Sequence, residues 1–285
     1  MLCNKYRSVL LILFAGLFFS ACTVKNTYKQ LDWILAGMVE DYVSPSEVQE
    51  TEVDARIAAL LKWHQFTQLN SYIADLKQLQ QYTSQGLDAE RIDDVFQRFT
   101  RSWQAIKQRV APEMADMFLS LSEAQQTQLF ENLATKNQEL DEDFKEYSQQ
   151  QRYQRAGEKL IENVEDWLGE LTDEQKEILR SWPPKFKPLH AERMAFRVKW
   201  QATLKALLQK PMPVDEKRQS LINLIESPEV YRSAEHKQNL ADNIELAKRL
   251  MLIFDKTLSK QQRDFLIERI DQLVASFEEL AAEKP

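Results

Sequence analysis

Glycine is scarce, with 5 residues in a chain of 285, and proline contributes 9. Multi-stranded sheets use glycine at their tight turns, so this scarcity beside abundant Gln, Glu, Leu, Ala, Lys and Arg predicts an all-α protein. Cysteine is scarcer still: Cys3 and Cys22 alone, too few for a disulfide framework. The three histidines, His64, His190 and His236, stand far apart and outside any ligand spacing, so no metal site is expected. There is no GxSxG elbow, and too few glycines for a phosphate-cradling loop, which leaves no complete catalytic constellation and no cofactor in view. An excess of positive charge is also missing: the net charge of -7 and a pI near 5.3 disfavour nucleic-acid binding. Low-hydrophobicity disorder is excluded by 14 Phe, 6 Trp and 8 Tyr.

Long apolar runs are absent too. Val9 to Phe19 is uncharged and apolar but covers only eleven residues, short of the roughly 20 that span a bilayer. With Lys5 and Arg7 before it and Ser20-Ala21 after it, residues 1–21 read as a secretory signal. Phe19-Ser20-Ala21-Cys22 resembles the lipobox of bacterial lipoproteins, with Phe in place of the usual Leu. That resemblance implies that Cys22 is acylated and becomes the new N-terminus, and Thr23 after it implies the outer membrane. Removing Lys5 and Arg7 with no acid takes the net charge from -7 to -9. Residues 22–27 are expected to form a short tether between lipid and body.

Beyond the tether the apolar spacing is helical. Leu31, Ile34, Leu35, Met38, Val39 and Tyr42 fall at i, i+3, i+4, i+7. Ser44-Pro45-Ser46-Glu47 reads as N-cap, Pro at N1 and capping-box Glu at N3, opening a helix through Trp63. A third helix is expected over 66–82 and a fourth from Asp88, with Pro112 breaking it before a short segment. From Ser122 to Leu168 the pattern fits one bent rod or two helices. Trp182-Pro183-Pro184-Lys185-Phe186-Lys187-Pro188 is the densest breaker and predicts a hinge between an N-terminal region, 28–182, and a C-terminal region, 183–285. The architecture expected is an elongated bundle of antiparallel amphipathic helices.

One pattern recurs. Leu121-Ser122-Glu123-Ala124-Gln125, Leu171-Thr172-Asp173-Glu174-Gln175 and Leu258-Ser259-Lys260-Gln261-Gln262 each place Leu, a hydroxyl residue and Gln at fixed offsets before an apolar-periodic run. Ser or Thr at N-cap with Gln at N3 is a capping box, which accounts for the motif as helix starts. The pentapeptides also resemble the LTxxQ motifs of the Spy and CpxP periplasmic proteins, which implies a chaperone or an envelope-stress modulator. A broader likeness runs through Leu31-Asp32-Trp33-Ile34, Asp41-Tyr42-Val43, Leu61-Lys62-Trp63-His64 with Leu69 and Tyr72, the Leu121 pentapeptide and Arg193 to Gln201. These stretches resemble a family of uncharacterised helical lipoproteins of Gram-negative bacteria, with Glu47 standing where that family has Gln. The family implies a lipoprotein and a helical fold and transfers no catalytic residue.

Charge is unevenly distributed. Lys185, Lys187, Arg193, Arg197, Lys199, Lys205 and Lys210 fall in one stretch opposed only by Glu192, just after the acidic run from Glu162 to Glu177. The two runs either pair with each other or leave Lys185, Lys187, Arg193, Arg197 and Lys199 as a patch for an anionic partner. Arg193, Arg197 and Trp200 are spaced to share a helix face. Acidic clusters such as Asp141-Glu142-Asp143 read as solvated faces. The expectation is a non-enzymatic lipoprotein on the periplasmic side of the outer membrane that binds or scaffolds another envelope protein; a Spy-like chaperone is the alternative.

Overall fold

A computed structural model describes residues 21–283. The expected signal peptide lies outside the described residues except for the backbone of Ala21, and of Cys22 only the backbone is described. The helices are Ala21–Tyr28 (α1), Leu31–Glu40 (α2), Glu47–Trp63 (α3), Leu69–Gln85 (α4), Ala89–Leu119 (α5), Glu123–Lys145 (α6), Gln149–Leu168 (α7), Asp173–Ser181 (α8), His190–Gln209 (α9), Val214–Glu226 (α10), Ala234–Asp255 (α11) and Lys260–Ala282 (α12). No strand occurs among the described residues, and the helices pack into a compact all-α fold.

Several helix boundaries differ from those the sequence predicts. Residues 24–27 do not form an extended tether: they belong to α1, and Val24 is buried against α4 and α12. Lys25 pairs with Glu279 and Glu283, and Lys29 with Glu283, fastening α1 to the end of α12. The helix predicted to start at Ser44 starts instead at Ser46, whose hydroxyl accepts from Gln49 N, so Gln49 and not Glu47 completes the capping box. The expected gap near residue 65 is a π-helical turn, His64–Gln68, which joins α3 to α4 without a break. A π turn admits one extra residue and shifts the apolar phase, which mimics a helix boundary in the sequence.

Pro112 does not break α5, which runs on to Leu119. Ala111 and Ala115 beside it are fully buried, and their small side chains let α10 pack closely. That burial offsets the roughly 3 kcal/mol cost of an interior proline. The stretch from Ser122 to Leu168 is two helices, because Ser148 and Gln151 form a further capping box.

Among the described residues, three apolar cores hold the helices together. The first joins Val24 of α1 and Leu69, Ile73 and Leu76 of α4 to Ile270, Val274, Phe277 and Leu280 of α12. The second joins Ala111, Ala115 and Leu129 to Leu204, Leu208 and Leu221. The third joins Ile161, Leu168 and Leu179 to Leu250 and Phe254. Every core combines residues from before and after the proline-rich segment, so that segment is a turn inside shared packing and not a boundary between two separate cores. Helices α4 and α12 run antiparallel: Lys77 meets Glu278, Gln80 meets Asp271, and Arg263 reaches the Thr83 carbonyl. At that end buried Asp255 accepts from Leu87 N and from two N–H groups of Arg263. It thereby locks the turn at Gly86, whose φ of 84° favours glycine.

Candidate functional site

The recurring motif is more than a set of helix starts. Ser122–Gln125, Thr172–Gln175 and Ser259–Gln262 are all capping boxes, as the sequence predicts. The structure then pairs them. Gln175 and Gln262 each donate Nε2–H to the other's Oε1, at 2.9 and 2.8 Å, though they are 87 residues apart. Gln49 and Gln125 do the same at 3.2 and 2.7 Å across 76 residues. The second donor of each amide follows one rule: it reaches the carbonyl two residues before its partner's N-cap. Gln175 donates to Thr257 O, Gln262 to Glu170 O, Gln125 to Ser44 O and Gln49 to Ser120 O.

Each glutamine therefore caps its own helix through Oε1 and clamps a second helix start through Nε2. Two helix N-termini, both positive ends of their dipoles, are brought together by neutral amides, with Glu47, Glu123, Asp173 and Glu174 in the first turns offsetting the repulsion. The motif leucines enter the packing: Leu171 is buried in the third core, Leu258 packs against it, and Leu121 packs against the second. The fourth member, Ser46–Gln49, escapes the sequence pattern because Pro45 occupies the leucine position and Ser44-Pro45 imitates an earlier start.

The basic stretch is dispersed. Lys185 lies over the Trp182 ring at 4.3 Å, Lys187 pairs with Asp242 at 2.5 Å, and Lys205 lies over Phe130. Arg197 is drawn inward: its Nε donates to Asn137 Oδ1 at 2.9 Å, and burial pushes its pKa below the usual arginine value. Trp200 donates to the Leu224 carbonyl, so the face expected to present Arg197 and Trp200 to a partner is turned toward α6 and α10. Arg193 and Lys199 lie on the exposed side of α9. The acidic run finds local cations instead of this stretch: Glu162 pairs with Lys159 and Glu165 with Lys176, while Glu158, just ahead of the run, takes Arg180.

Where the proline turn meets α7 and α9, the packing leaves an open cleft in two lobes. The first, about 530 Å³, is lined by Phe144, Arg152, Tyr153, Leu160, Phe186 and Lys187 among others. The second, about 570 Å³, is lined by His190, Glu192, Ser233 and Glu235. Phe144 and Pro188 belong to both. The His190 ring stacks on Phe144 at 3.7 Å and 5°, and the Arg152 guanidinium lies 4.0 Å from the same ring. Both neighbours are fixed: His190 Nε2 lies 3.0 Å from Asp141 Oδ1, and Arg152 donates to the Phe144 and Tyr147 carbonyls that end α6. The sequence marks Lys185–Pro188 and gives no sign of Phe144, Arg152 or Tyr153, which only tertiary packing brings to the turn.

His64 lies apart from the cleft, buried in the π turn among the rings of Tyr28, Trp63 and Tyr72. It is 4% exposed, its Nδ1 lies 3.0 Å from the Tyr28 hydroxyl, and its Nε2 has no protein partner. Burial lowers its pKa to about 4. Among the described residues no cluster of His, Cys, Asp and Glu could hold a metal ion, and no helix is long and apolar enough to cross a membrane.

The model of DUF6279, a family of unknown function, matches residues 41–237, more than half of the chain, and the chain belongs to that family. No curated protein and no solved structure matches it.

Proposed function

We propose that this DUF6279 protein is a lipid-anchored, non-enzymatic binding protein of the Gram-negative outer membrane, facing the periplasm and engaging another envelope protein. The observation that carries the binding role is the open cleft at the proline turn, lined by Tyr153, Phe186 and the edge of Phe144 and with cations at one rim. A cleft whose walls are fixed before a ligand arrives loses little entropy on binding. Anchoring rests on the Phe19-Ser20-Ala21-Cys22 sequence behind a charged, apolar leader. Two or more acyl chains at Cys22 would hold the body at the bilayer essentially permanently. With α1 docked on α4 and α12, little slack separates that lipid from the body.

Radiolabelled palmitate is expected in the wild-type chain and not in Cys22→Ser; label that persists in the variant overturns the anchor. A chaperone of the Spy and CpxP kind is the second reading, resting on the LTxxQ-like pentapeptides at Leu121, Leu171 and Leu258. It predicts suppression of aggregation of an unfolded client at stoichiometric ratios, whereas the binding-protein reading predicts none.

A further inference from the structure

The two lobes of the cleft carry opposite charge. Arg152, Lys159 and Lys187 surround the first, while Glu192 and Glu235 face the second. Between them, Pro188 and the edge of Phe144, whose two faces are covered by His190 and Arg152, form a narrow apolar saddle. We propose that this cleft takes an extended peptide segment: a bulky apolar side chain on the saddle, an acidic residue toward the first lobe and a basic residue toward the second. The inference rests on the binding role proposed above and specifies its ligand.

Size, shape and charge agree. Each lobe falls within the roughly 300–1,000 Å³ of ligand clefts, and together they suit several consecutive side chains. Both lobes are open to solvent, which leaves room for a chain to enter and leave; an acyl tail needs apolar enclosure, and the second lobe offers it Glu192, Ser233 and Glu235 instead. The charges are available to a ligand. Lys159 and Glu162 are 68% and 64% exposed, and Lys187 with Asp242 is 47% and 35% exposed. Such solvated pairs contribute little to stability and reorient at small cost. Opposite charge at the two ends fixes the direction in which a peptide lies, because reversing it sets like charges together.

The test measures fluorescence anisotropy of the labelled peptide Glu-Glu-Leu-Trp-Leu-Lys-Lys against the full chain. Saturable binding is expected. Ala156, exposed and on the wall of the first lobe, becomes the plug: Ala156→Trp should weaken binding at least tenfold with an unchanged thermal midpoint. Asn163→Trp, on the same wall, serves if the first variant does not fold. Lys159→Glu with Lys187→Glu should also weaken binding about tenfold and prefer a peptide whose two Glu are replaced by Lys. Absence of saturable binding overturns the proposal, as does binding that no variant alters. Uptake of phosphatidylglycerol vesicles that the plug abolishes, without peptide binding, overturns it in favour of lipid. Photo-crosslinkers at Ala156 and at exposed Val214 separate this inference from the broader role. An envelope protein captured at Val214 alone overturns the peptide site and leaves the binding role standing; capture at neither removes both.

Discussion

The two glutamine pairs are the same joint in two environments. Both close on reciprocal amide hydrogen bonds, and both send a second donor to the carbonyl two residues before the partner cap. Gln175 and Gln262 are 2% and 6% exposed; Gln49 and Gln125 are half-buried, and their pair opens beside a small surface pocket. Water can replace a broken bond at Gln175 and Gln262 only by entering the packing, and at Gln49 and Gln125 it is already near. A hydrogen bond's contribution is set largely by what its partner is left with when it is lost, so identical geometry should carry unequal stability.

The largest break in that comparison is expected from Gln175→Glu. Glutamate preserves the capping box, since its carboxylate can still accept from the Thr172 amide, but it cannot donate to Thr257 O or to Gln262. A buried charge facing acceptors should cost about 3 kcal/mol or more at pH 7. Gln49→Glu, with solvent at hand, should cost about 1 kcal/mol. Chemical denaturation of both variants checks the ratio. Relative to wild type, the Gln175→Glu deficit should shrink as pH falls, because a protonated carboxyl regains one donor.

His64 sharpens the contrast, since it is a buried joint that titrates whereas the glutamines do not. Its folded pKa of about 4 lies below the usual 6.5, so the unfolded chain binds more protons between these values. Its contribution is full above pH 6.5 and is lost as pH falls toward 4, a change on the order of 3 kcal/mol. Urea midpoints across that range should fall in wild type and flatten in His64→Phe; an unchanged slope would contradict burial of the neutral ring.

The smallest effect concerns the caps themselves. Thr172→Ala and Ser46→Ala each remove a hydroxyl that accepts from the N3 amide, at 3.2 and 3.4 Å, and both cap residues are exposed. Each should cost about 1 kcal/mol in thermal denaturation, with little difference between them. Equal costs here beside unequal costs at the glutamines would place the difference in the pair and not in the cap.

Much of the helical content was legible because it is local. Apolar spacing marks α2, α7 and α12, and Ser or Thr three residues before Gln marks the starts of α6, α8 and α12. Features decided by distant packing were not. Nothing near Gln175 in the chain points to Gln262, and Pro112 reads as a break because the burial of Ala111 and Ala115 against α10 is invisible in one dimension. Periodicity likewise cannot distinguish a π turn at His64 from an interruption. The cleft was half legible: the proline turn and its lysines stand out, but Phe144 and Arg152 reach it from another helix end.

A joint closed by two helix starts says nothing about where those helices stop. Gln125 and Gln175 fix the origins of α6 and α8, which run for 23 and 9 residues from equivalent joints. The coupling thus separates connection from length: whole turns can be gained or lost at a far end while the keyed end stays in register. Two couplings cut to one key must also be kept from engaging each other, and the glutamine code cannot do that sorting. The residue before the cap sets one start apart, because Pro45 stands where the other three carry the packed leucines Leu121, Leu171 and Leu258.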